Sequence, residues 1–284
     1  MKRTILTVVL LCSGLALADD AKLRGGNMLA CETYSFRTMI RAKKLDMLGV
    51  PQLYKELGIK GISYNDMFFD SLDDDYVDRI KAAVKKADRV VTCFILEGNL
   101  AMANQELRRK QIEVDKQKLR VAKRLGAPLV RINVGRTDKQ ENADDTAGLE
   151  RVIAAFKEML PLAKELGIRI SIENHGGVSA KADNIVKIIQ ATDPKWVGSL
   201  VDFGNFPADV RYEEIAKVAP YALTTHVKVG GFDEKGEAKG VDLPRVFAML
   251  KKYNYKGPIS IEYGTETDPV EDVKKARALI LKYW

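Results

Sequence analysis

Residues 168–173 read Ile-Arg-Ile-Ser-Ile-Glu, and the last four letters of this stretch return as Ile-Ser-Ile-Glu at 259–262. In both places apolar and polar side chains alternate with a period of two, which is the pattern of a β-strand. We therefore expect two strands that present isoleucines to a layer of helices and polar side chains to the opposite face. In each strand the last polar residue is a glutamate.

Short apolar runs of the same kind alternate with longer segments of helical pattern along the rest of the chain. The eight predicted strands lie around Met28–Phe36, Lys60–Asn65, Arg89–Leu96, Pro128–Val134, Ile168–Glu173, Val197–Asp202, Ala222–Val229 and Pro258–Tyr263. The predicted helices include Tyr76–Ala87, Gln105–Leu125, Thr146–Leu166, Ala182–Ala191, Pro244–Tyr253 and Pro269–Lys282. Strands that alternate with helices indicate parallel βαβ units, and the chain length fits one closed (β/α)8 TIM barrel. A doubly wound open sheet is the alternative, although no glycine-rich phosphate loop follows the first strand.

The N-terminal segment is typical of a secretory signal peptide. Lys2 and Arg3 precede a short apolar stretch, and Ala16-Leu17-Ala18 supplies the small residues of a cleavage site. We expect residues 1–18 to be a signal peptide, residues 19–284 to form the barrel domain, and the mature protein to be periplasmic or secreted. No apolar run reaches the length of a membrane-spanning helix, so we expect no membrane partner.

The composition narrows the classes of function. The 284 residues are 46% hydrophobic and 30% charged, as in an ordinary globular protein rather than a disordered one. The formal net charge of +7 is mild and lacks basic clusters interleaved with aromatic residues, so we expect no nucleic-acid partner. Cys31 and Cys93 lie in apolar runs, which favours free buried thiols over a disulfide. Whether the chain forms an oligomer stays open.

Strands five to eight each end in an ionisable residue that is predicted to face the barrel interior. These residues are Glu173, Asp202, His226 and Glu262. Parallel strands bring their carboxyl ends to one mouth of the barrel, where barrel enzymes place their chemistry. Three carboxylates crowded there repel one another unless a cation neutralises them. Oxygen ligands with one nitrogen suit a single divalent ion such as Mn²⁺, Mg²⁺, Co²⁺ or Zn²⁺. The alternative is that each is a solvated loop residue.

Other polar and aromatic side chains are candidates for substrate contact. Lys228 faces the same way as His226 and is able to bind substrate oxygens, although a solvated lysine at the rim is the alternative. His175 is either a substrate donor or a loop histidine bonded to the backbone. Arg131 reaches the interior from strand four, where it either contacts substrate or neutralises Glu97. Tyr34 either stacks on a sugar or packs in the barrel.

Four short motifs resemble those of a known family. They are Ile-Glu-Asn-His at 172–175, Val-Asp-Phe-Gly-Asn at 201–205, Thr-His-Val-Lys at 225–228 and Ile-Glu-Tyr at 261–263. The chain is similar to the xylose isomerase-like TIM barrel family, within the sugar isomerase/epimerase superfamily. The resemblance implies that the four strand-end residues bind one divalent metal and that Glu173 and Glu262 exchange protons with the substrate. It also implies that His175 and Lys228 line the substrate site. Asn205 is a further candidate for substrate contact. It stands where epimerases commonly carry histidine, which leaves a ketose C3-epimerase activity open.

The expected function is therefore a metal-dependent sugar isomerase or epimerase that acts on an unphosphorylated keto-sugar through an enediolate. A lyase or hydratase that eliminates from a keto-sugar or 3-keto-glycoside at the same metal site is the alternative. A DNA-repair endonuclease of the same superfamily needs a histidine-rich trinuclear zinc centre, and two histidines are too few for it. A non-catalytic sugar-binding protein would not need two proton-transferring glutamates.

Overall fold

The computed structural model describes residues 23–137, 146–263 and 268–284. The predicted signal peptide at residues 1–18 lies outside the described residues, and the boundary of the domain at residue 19 stays a prediction. Within the described ranges, the helices lack the combination of length and apolar character needed to cross a bilayer.

Eight parallel strands form the sheet. They are β1 (Leu29–Glu32), β2 (Gly61–Asn65), β3 (Val90–Leu96), β4 (Leu129–Ile132), β5 (Arg169–Glu173), β6 (Val197–Asp202), β7 (Ala222–His226) and β8 (Ile259–Ile261). Each strand pairs with its neighbour in sequence from β1 to β7, and β1 also pairs with β8. A parallel bridge between Val227 and Ile261 brings β7 and β8 together and closes the ring. The predicted (β/α)8 TIM barrel is confirmed.

Nine α-helices are present in the described ranges, and they cover the outside of the sheet. They are α1 (Arg37–Arg41), α2 (Val50–Glu56), α3 (Asp74–Lys86), α4 (Gln105–Leu125), α5 (Thr146–Leu166), α6 (Ala182–Ala191), α7 (Arg211–Val218), α8 (Leu243–Lys252) and α9 (Pro269–Tyr283). Gly126 caps the C-terminal end of α4, and its φ of 88° is a left-handed conformation that glycine adopts without steric cost. Ile170 and Ile172 on β5 are fully buried, as the alternating pattern predicts.

The first strand is shorter than predicted. Strand β1 ends at Glu32, and Thr33–Phe36 form a 3-10 turn, so the predicted strand through Phe36 is wrong. The Ser35 hydroxyl donates to the Ile261 carbonyl at 3.4 Å and accepts from the Tyr263 amide at 3.1 Å. These bonds anchor the turn to the end of β8, and they outweigh the strand preference of an aromatic-rich run. Tyr34 therefore lies in a turn at the barrel mouth.

Cys31 and Cys93 are both free thiols buried in the barrel, as predicted. Burial raises the pKa of each thiol to about 12, so both are protonated at neutral pH. They behave as small apolar side chains.

Candidate active site

The four predicted ligands come together at the carboxyl-terminal mouth of the barrel. One ligand atom from each of Glu173, Asp202, His226 and Glu262 lies within 4.8 Å of the others, and all four side chains are buried. The first three are the last residues of β5, β6 and β7, and the fourth follows β8 directly. The alternative of solvated loop residues is wrong, because none of the four is exposed.

His226 lies at the centre of the cluster. Its Nδ1 is 3.1 Å from Glu173 Oε1 and 3.0 Å from Glu262 Oε2. Its Nε2 points to the other side of the ring, where Glu32 Oε2 lies 3.2 Å away. The imidazole thus presents one nitrogen to the two predicted catalytic glutamates and the other to a carboxylate from β1.

The Asp202 carboxylate is oriented by the loop that follows it. Its Oδ1 accepts from the backbone amides of Gly204 and Asn205 at 2.8 and 2.7 Å. Its Oδ2 is buried and has no hydrogen-bond partner among the described residues, although Lys228 Nζ lies 3.8 Å away. Asn174 pairs with both backbone groups of Asp202 and ties the ends of β5 and β6 together. One aspartate oxygen is therefore fixed and the other is available to a ligand.

Arg131 bridges two carboxylates inside the barrel. Its Nη2 lies 2.5 Å from Glu173 Oε2, and its Nη1 lies 2.8 Å from Glu97 Oε1. Asn133 Nδ2 donates to the other oxygen of Glu97 at 2.8 Å. The interpretation of Arg131 as the partner of Glu97 is thus confirmed, and the same guanidinium also holds Glu173. This leaves Glu173 Oε1 facing His226.

The three carboxylates of the cluster differ in pKa. Burial opposes ionisation of Glu173, but Arg131 and His226 outweigh it and hold the pKa of Glu173 well below its usual range. Burial likewise opposes ionisation of Glu262, yet His226 and Lys228 lower its pKa to about 2. Burial raises the pKa of Asp202 well above its ordinary value, and Lys228 offsets this only in part. Both glutamates are thus ionised at neutral pH.

The pKa of His226 also bears on a metal site. Burial would lower the pKa of His226, but the carboxylates of Glu173 and Glu32 outweigh burial and raise it well above 6.5. The carboxylates around the ring therefore favour a positive charge at this position. A divalent cation in contact with Nδ1 would replace that proton as the compensating charge.

The donor set fits a divalent cation. Three carboxylates and an imidazole supply hard oxygen atoms and one nitrogen, which suits the ions expected from the sequence. The buried Asp202 oxygen without a hydrogen bond is the kind of atom that a cation satisfies. This cluster of described residues could thus hold one metal ion.

A cavity of about 400 Å³ opens onto the cluster. It is lined by Glu32, Tyr34, Asn65, Met67, Glu97, Arg131, Glu173, His175, Lys228 and Glu262. Four of the five predicted substrate contacts are therefore in the lining: Tyr34, Arg131, His175 and Lys228. The fifth, Asn205, is not among the described residues that line the cavity. The side-chain Nδ2 of Asn205 donates to Glu173 Oε1 at 3.3 Å and supports that carboxylate.

The sequence analysis missed two polar residues of this cavity, Glu32 and Asn65. They are the last residues of β1 and β2. Three of the metal-ligand candidates hold the same position at the ends of β5, β6 and β7. Burial raises the pKa of Glu32 to about 7, with His226 opposing the shift. The rule that the last polar residue of a strand faces the mouth identifies Asn65, which ends the predicted strand Lys60–Asn65. The same rule does not identify Glu32, because the predicted first strand continues to Phe36.

The chain belongs to the xylose isomerase-like TIM barrel family, whose family model matches residues 51–283. No protein of curated function matches the sequence significantly.

Several solved structures share the fold. An L-ribulose 3-epimerase has 15% identity and a TM-score of 0.72, with 89% of this chain and 93% of that chain covered. A 3-keto-D-glucoside 4-epimerase from E. coli has 16% identity and a TM-score of 0.68, with coverage of 83% and 94%. A xylose isomerase-like TIM barrel protein from Mycobacterium smegmatis, in complex with magnesium, has 20% identity and a TM-score of 0.67, with coverage of 90% and 96%. At these identities the likeness establishes the fold.

Proposed function

We propose that this protein is a divalent-metal-dependent sugar isomerase or epimerase that acts on an unphosphorylated keto-sugar. One observation carries the proposal: Glu173 and Glu262 are buried, face the same histidine nitrogen, and both line the cavity. Two ionised carboxylates on separate strands are the groups that proton transfer at a sugar carbon needs. The family and the epimerase neighbours support an enzyme of this class.

The two glutamates have complementary parts in the proposed reaction. One of them removes the proton from the carbon next to the substrate carbonyl, which leaves an enediolate. If that proton returns to the neighbouring carbon, the sugar is isomerised. If instead the other glutamate takes up a proton from solvent and delivers it to the opposite face of the same carbon, the sugar is epimerised, and the first glutamate then releases its proton to solvent. A divalent cation held by Glu173, Asp202, His226 and Glu262 would supply Lewis-acid stabilisation of the negative charge on the substrate oxygens.

The remaining lining residues orient the substrate in this proposal. Lys228 is able to donate to a substrate oxygen beside Glu262. Burial lowers the pKa of His175, so its neutral ring both donates and accepts hydrogen bonds at neutral pH. Tyr34 offers an aromatic face to a sugar ring. Arg131 and Asn205 hold Glu173 in place rather than reach far into the cavity.

The proposed environment and substrate follow from the N-terminal segment. If residues 1–18 are a signal peptide, the mature enzyme is periplasmic or secreted and meets unphosphorylated sugars.

The magnesium complex of the Mycobacterium smegmatis neighbour is consistent with Mg²⁺ as one of the candidate ions. The proposed partner is a small carbohydrate.

A specific observation favours a lyase as the second candidate. A further cavity of about 270 Å³ adjoins the first and shares His175 with it. Its lining is Gly98, Asn99, Asn133, Gly135, Arg136, His175, Gly176 and Gly177. A 3-keto-glycoside that places its keto-sugar at the glutamates would have room there for its second unit. After a glutamate removes the proton next to the carbonyl, the bond from the sugar carbon to the glycosidic oxygen would break. The departing aglycone would take up that proton from the glutamate, which completes an elimination.

Incubation with ketoses and with 3-keto-glycosides in D₂O, followed by NMR, separates the two candidates. Deuterium that enters next to the carbonyl while the glycoside stays intact supports an isomerase or epimerase. A released aglycone supports the lyase. If neither product forms in the presence of Mn²⁺ or Mg²⁺, the proposed chemistry is wrong.

A further inference from the structure

Glu32 is a buried carboxylate at the end of β1 that has no part in the proton transfer described above. Its Oε2 lies 3.2 Å from His226 Nε2, on the side of the imidazole that faces away from Glu173 and Glu262. The side chains of Glu32 and His226 are almost completely buried. We propose that Glu32 is a positioning residue that holds the proton of His226 on Nε2 and so presents the Nδ1 lone pair to the metal. The inference rests on the proposed metal site.

The surroundings of the imidazole dictate which nitrogen carries the proton. A neutral imidazole has one N–H donor and one lone pair. Nδ1 faces the two predicted ligand carboxylates, so a metal bound by these carboxylates needs the lone pair there. Nε2 makes no hydrogen bond of good geometry among the described residues, and Glu32 Oε2 is the acceptor within reach. Turning the ring to align Nε2–H with Oε2 completes this bond.

The side-chain amide of Asn65 holds Glu32 in place, and a second hydrogen bond fixes the orientation of that amide. Asn65 Nδ2 donates to Glu32 Oε1 at 3.0 Å. Asn65 Oδ1 accepts from the Met67 amide at 3.1 Å, so the NH₂ group of Asn65 must face Glu32. The Asn65 backbone amide donates to Thr33 Oγ1 and joins the ends of β1 and β2. The contacts thus run from Asn65 on β2 through Glu32 on β1 to His226 on β7.

A carboxylate behind a metal-binding imidazole has two effects. It fixes the tautomer and the ring orientation, and it makes the ligand nitrogen more basic. Loss of such a partner typically weakens metal binding by about 10- to 100-fold. Glu32→Gln keeps the volume and removes the charge. Its single side-chain oxygen cannot accept from both Asn65 and His226 in the present geometry.

The test combines metal affinity with the ¹⁵N spectrum of the imidazoles. The chain has only two histidines, and a His175→Gln variant assigns the signals of His226 by elimination. With diamagnetic Zn²⁺ bound, we expect protonated Nε2 and unprotonated Nδ1 at His226. Glu32→Gln should bind Zn²⁺ about 10- to 100-fold more weakly by calorimetry, with a mixed or reversed tautomer. Asn65→Ala should give the same changes to a smaller extent, and it serves as the test if Glu32→Gln does not fold.

Ser260→Ala is the matched control. Its hydroxyl is buried in the barrel interior without a hydrogen-bond partner among the described residues, so its loss should leave Zn²⁺ affinity and the His226 spectrum unchanged. If wild-type protein binds Zn²⁺ and both Glu32→Gln and Asn65→Ala keep its affinity and tautomer, the role of Glu32 is overturned and the metal site stands. If wild-type protein binds no Zn²⁺, the metal site itself is overturned.

Discussion

The ammonium group of Lys228 donates to Glu262 Oε1 at 2.8 Å. The other oxygen of the same carboxylate lies 3.0 Å from His226 Nδ1, so Glu262 joins the buried cluster to the cavity. The contact between Lys228 and Glu262 also explains why both side chains stay charged although they are largely buried. Burial lowers the pKa of Lys228, but the carboxylates of Asp202 and Glu262 outweigh it and raise that pKa.

Replacement of Lys228 by methionine should impair catalysis without unfolding the barrel. The change removes the cation beside Glu262 and a donor to substrate oxygens, and hydrogen bonds to charged groups contribute about 1.5–3 kcal/mol. We expect kcat/KM for the keto-sugar to fall about 10- to 100-fold. Lys110→Met, on the exposed face of α4, is the control and should keep wild-type kinetics. Wild-type kinetics in Lys228→Met would show that Lys228 is only a rim lysine.

Replacement of Glu262 by glutamine should abolish turnover while metal binding largely survives. The carboxamide oxygen still offers a ligand atom, but it cannot accept the substrate proton. General acid–base catalysis contributes about 10²- to 10⁴-fold to rates, and kcat should fall by that factor. Steady-state kinetics together with Mn²⁺ titration measure both properties. Full activity in Glu262→Gln would contradict the catalytic assignment, whereas Glu271→Gln on the exposed surface of α9 should be fully active.

Replacement of Arg131 by methionine should destabilise the protein. The guanidinium is buried between Glu173 and Glu97, and its removal leaves the buried Oε2 of Glu173 without the cation that it faces. Breaking a buried ion pair from one side costs about 3–5 kcal/mol. Arg131→Lys should lose less unfolding free energy than Arg131→Met, because lysine keeps the positive charge. It should still be less stable than the wild type, because lysine lacks the forked guanidinium that bridges two carboxylates.

Denaturant unfolding in the presence of chelator measures this cost without a contribution from bound metal. The free energy of unfolding should fall in the order wild type, Arg131→Lys, Arg131→Met. Equal stability of the three proteins would mean that the bridge does not hold Glu173.

The periodicity of the sequence predicted most of the fold and most of the site. Alternation over 168–173 identified a strand, and the spacing of one βα unit between Glu173, Asp202 and His226 placed them on successive strand ends. Three helices, α4, α5 and α6, have the predicted bounds. Local pattern suffices here because parallel strands in a barrel share one direction.

The sequence could not predict contacts that depend on which strands meet across the barrel. Glu32 and His226 are far apart in sequence and lie on β1 and β7, and their contact follows from the closure of the ring. The end of β1 was misjudged for a related reason, since Ser35 is bonded to residues that follow β8. Pairing of distant segments decides both features.

Asp115 should make stability depend on pH. This residue of α4 is buried, and burial raises its pKa to about 7, which Gln111 opposes by donating to its Oδ1. In the unfolded chain the group ionises near pH 4, so from about pH 4 to 7 the folded state binds more protons than the unfolded state. Stability therefore falls as the pH rises through this window.

Asp115→Asn should remove this dependence. Relative to that variant, the wild type should lose about 1–4 kcal/mol of unfolding free energy between about pH 4.5 and pH 8. Denaturant unfolding at the two pH values measures the difference. Glu106→Gln, exposed at the start of the same helix, should follow the wild type. A wild type and an Asp115→Asn variant that respond alike to pH would show that Asp115 is ionised in the folded protein.

The central claim is that three carboxylates and one imidazole share a single divalent cation. Titration of chelator-treated protein with Mn²⁺, followed by electron paramagnetic resonance, tests it most directly. The account predicts one Mn²⁺ per chain, with binding lost in Asp202→Ala, because the buried Oδ2 of Asp202 has no hydrogen-bond partner in the described part of the chain. No tightly bound Mn²⁺ in the wild type, or unchanged binding in Asp202→Ala, would contradict the claim.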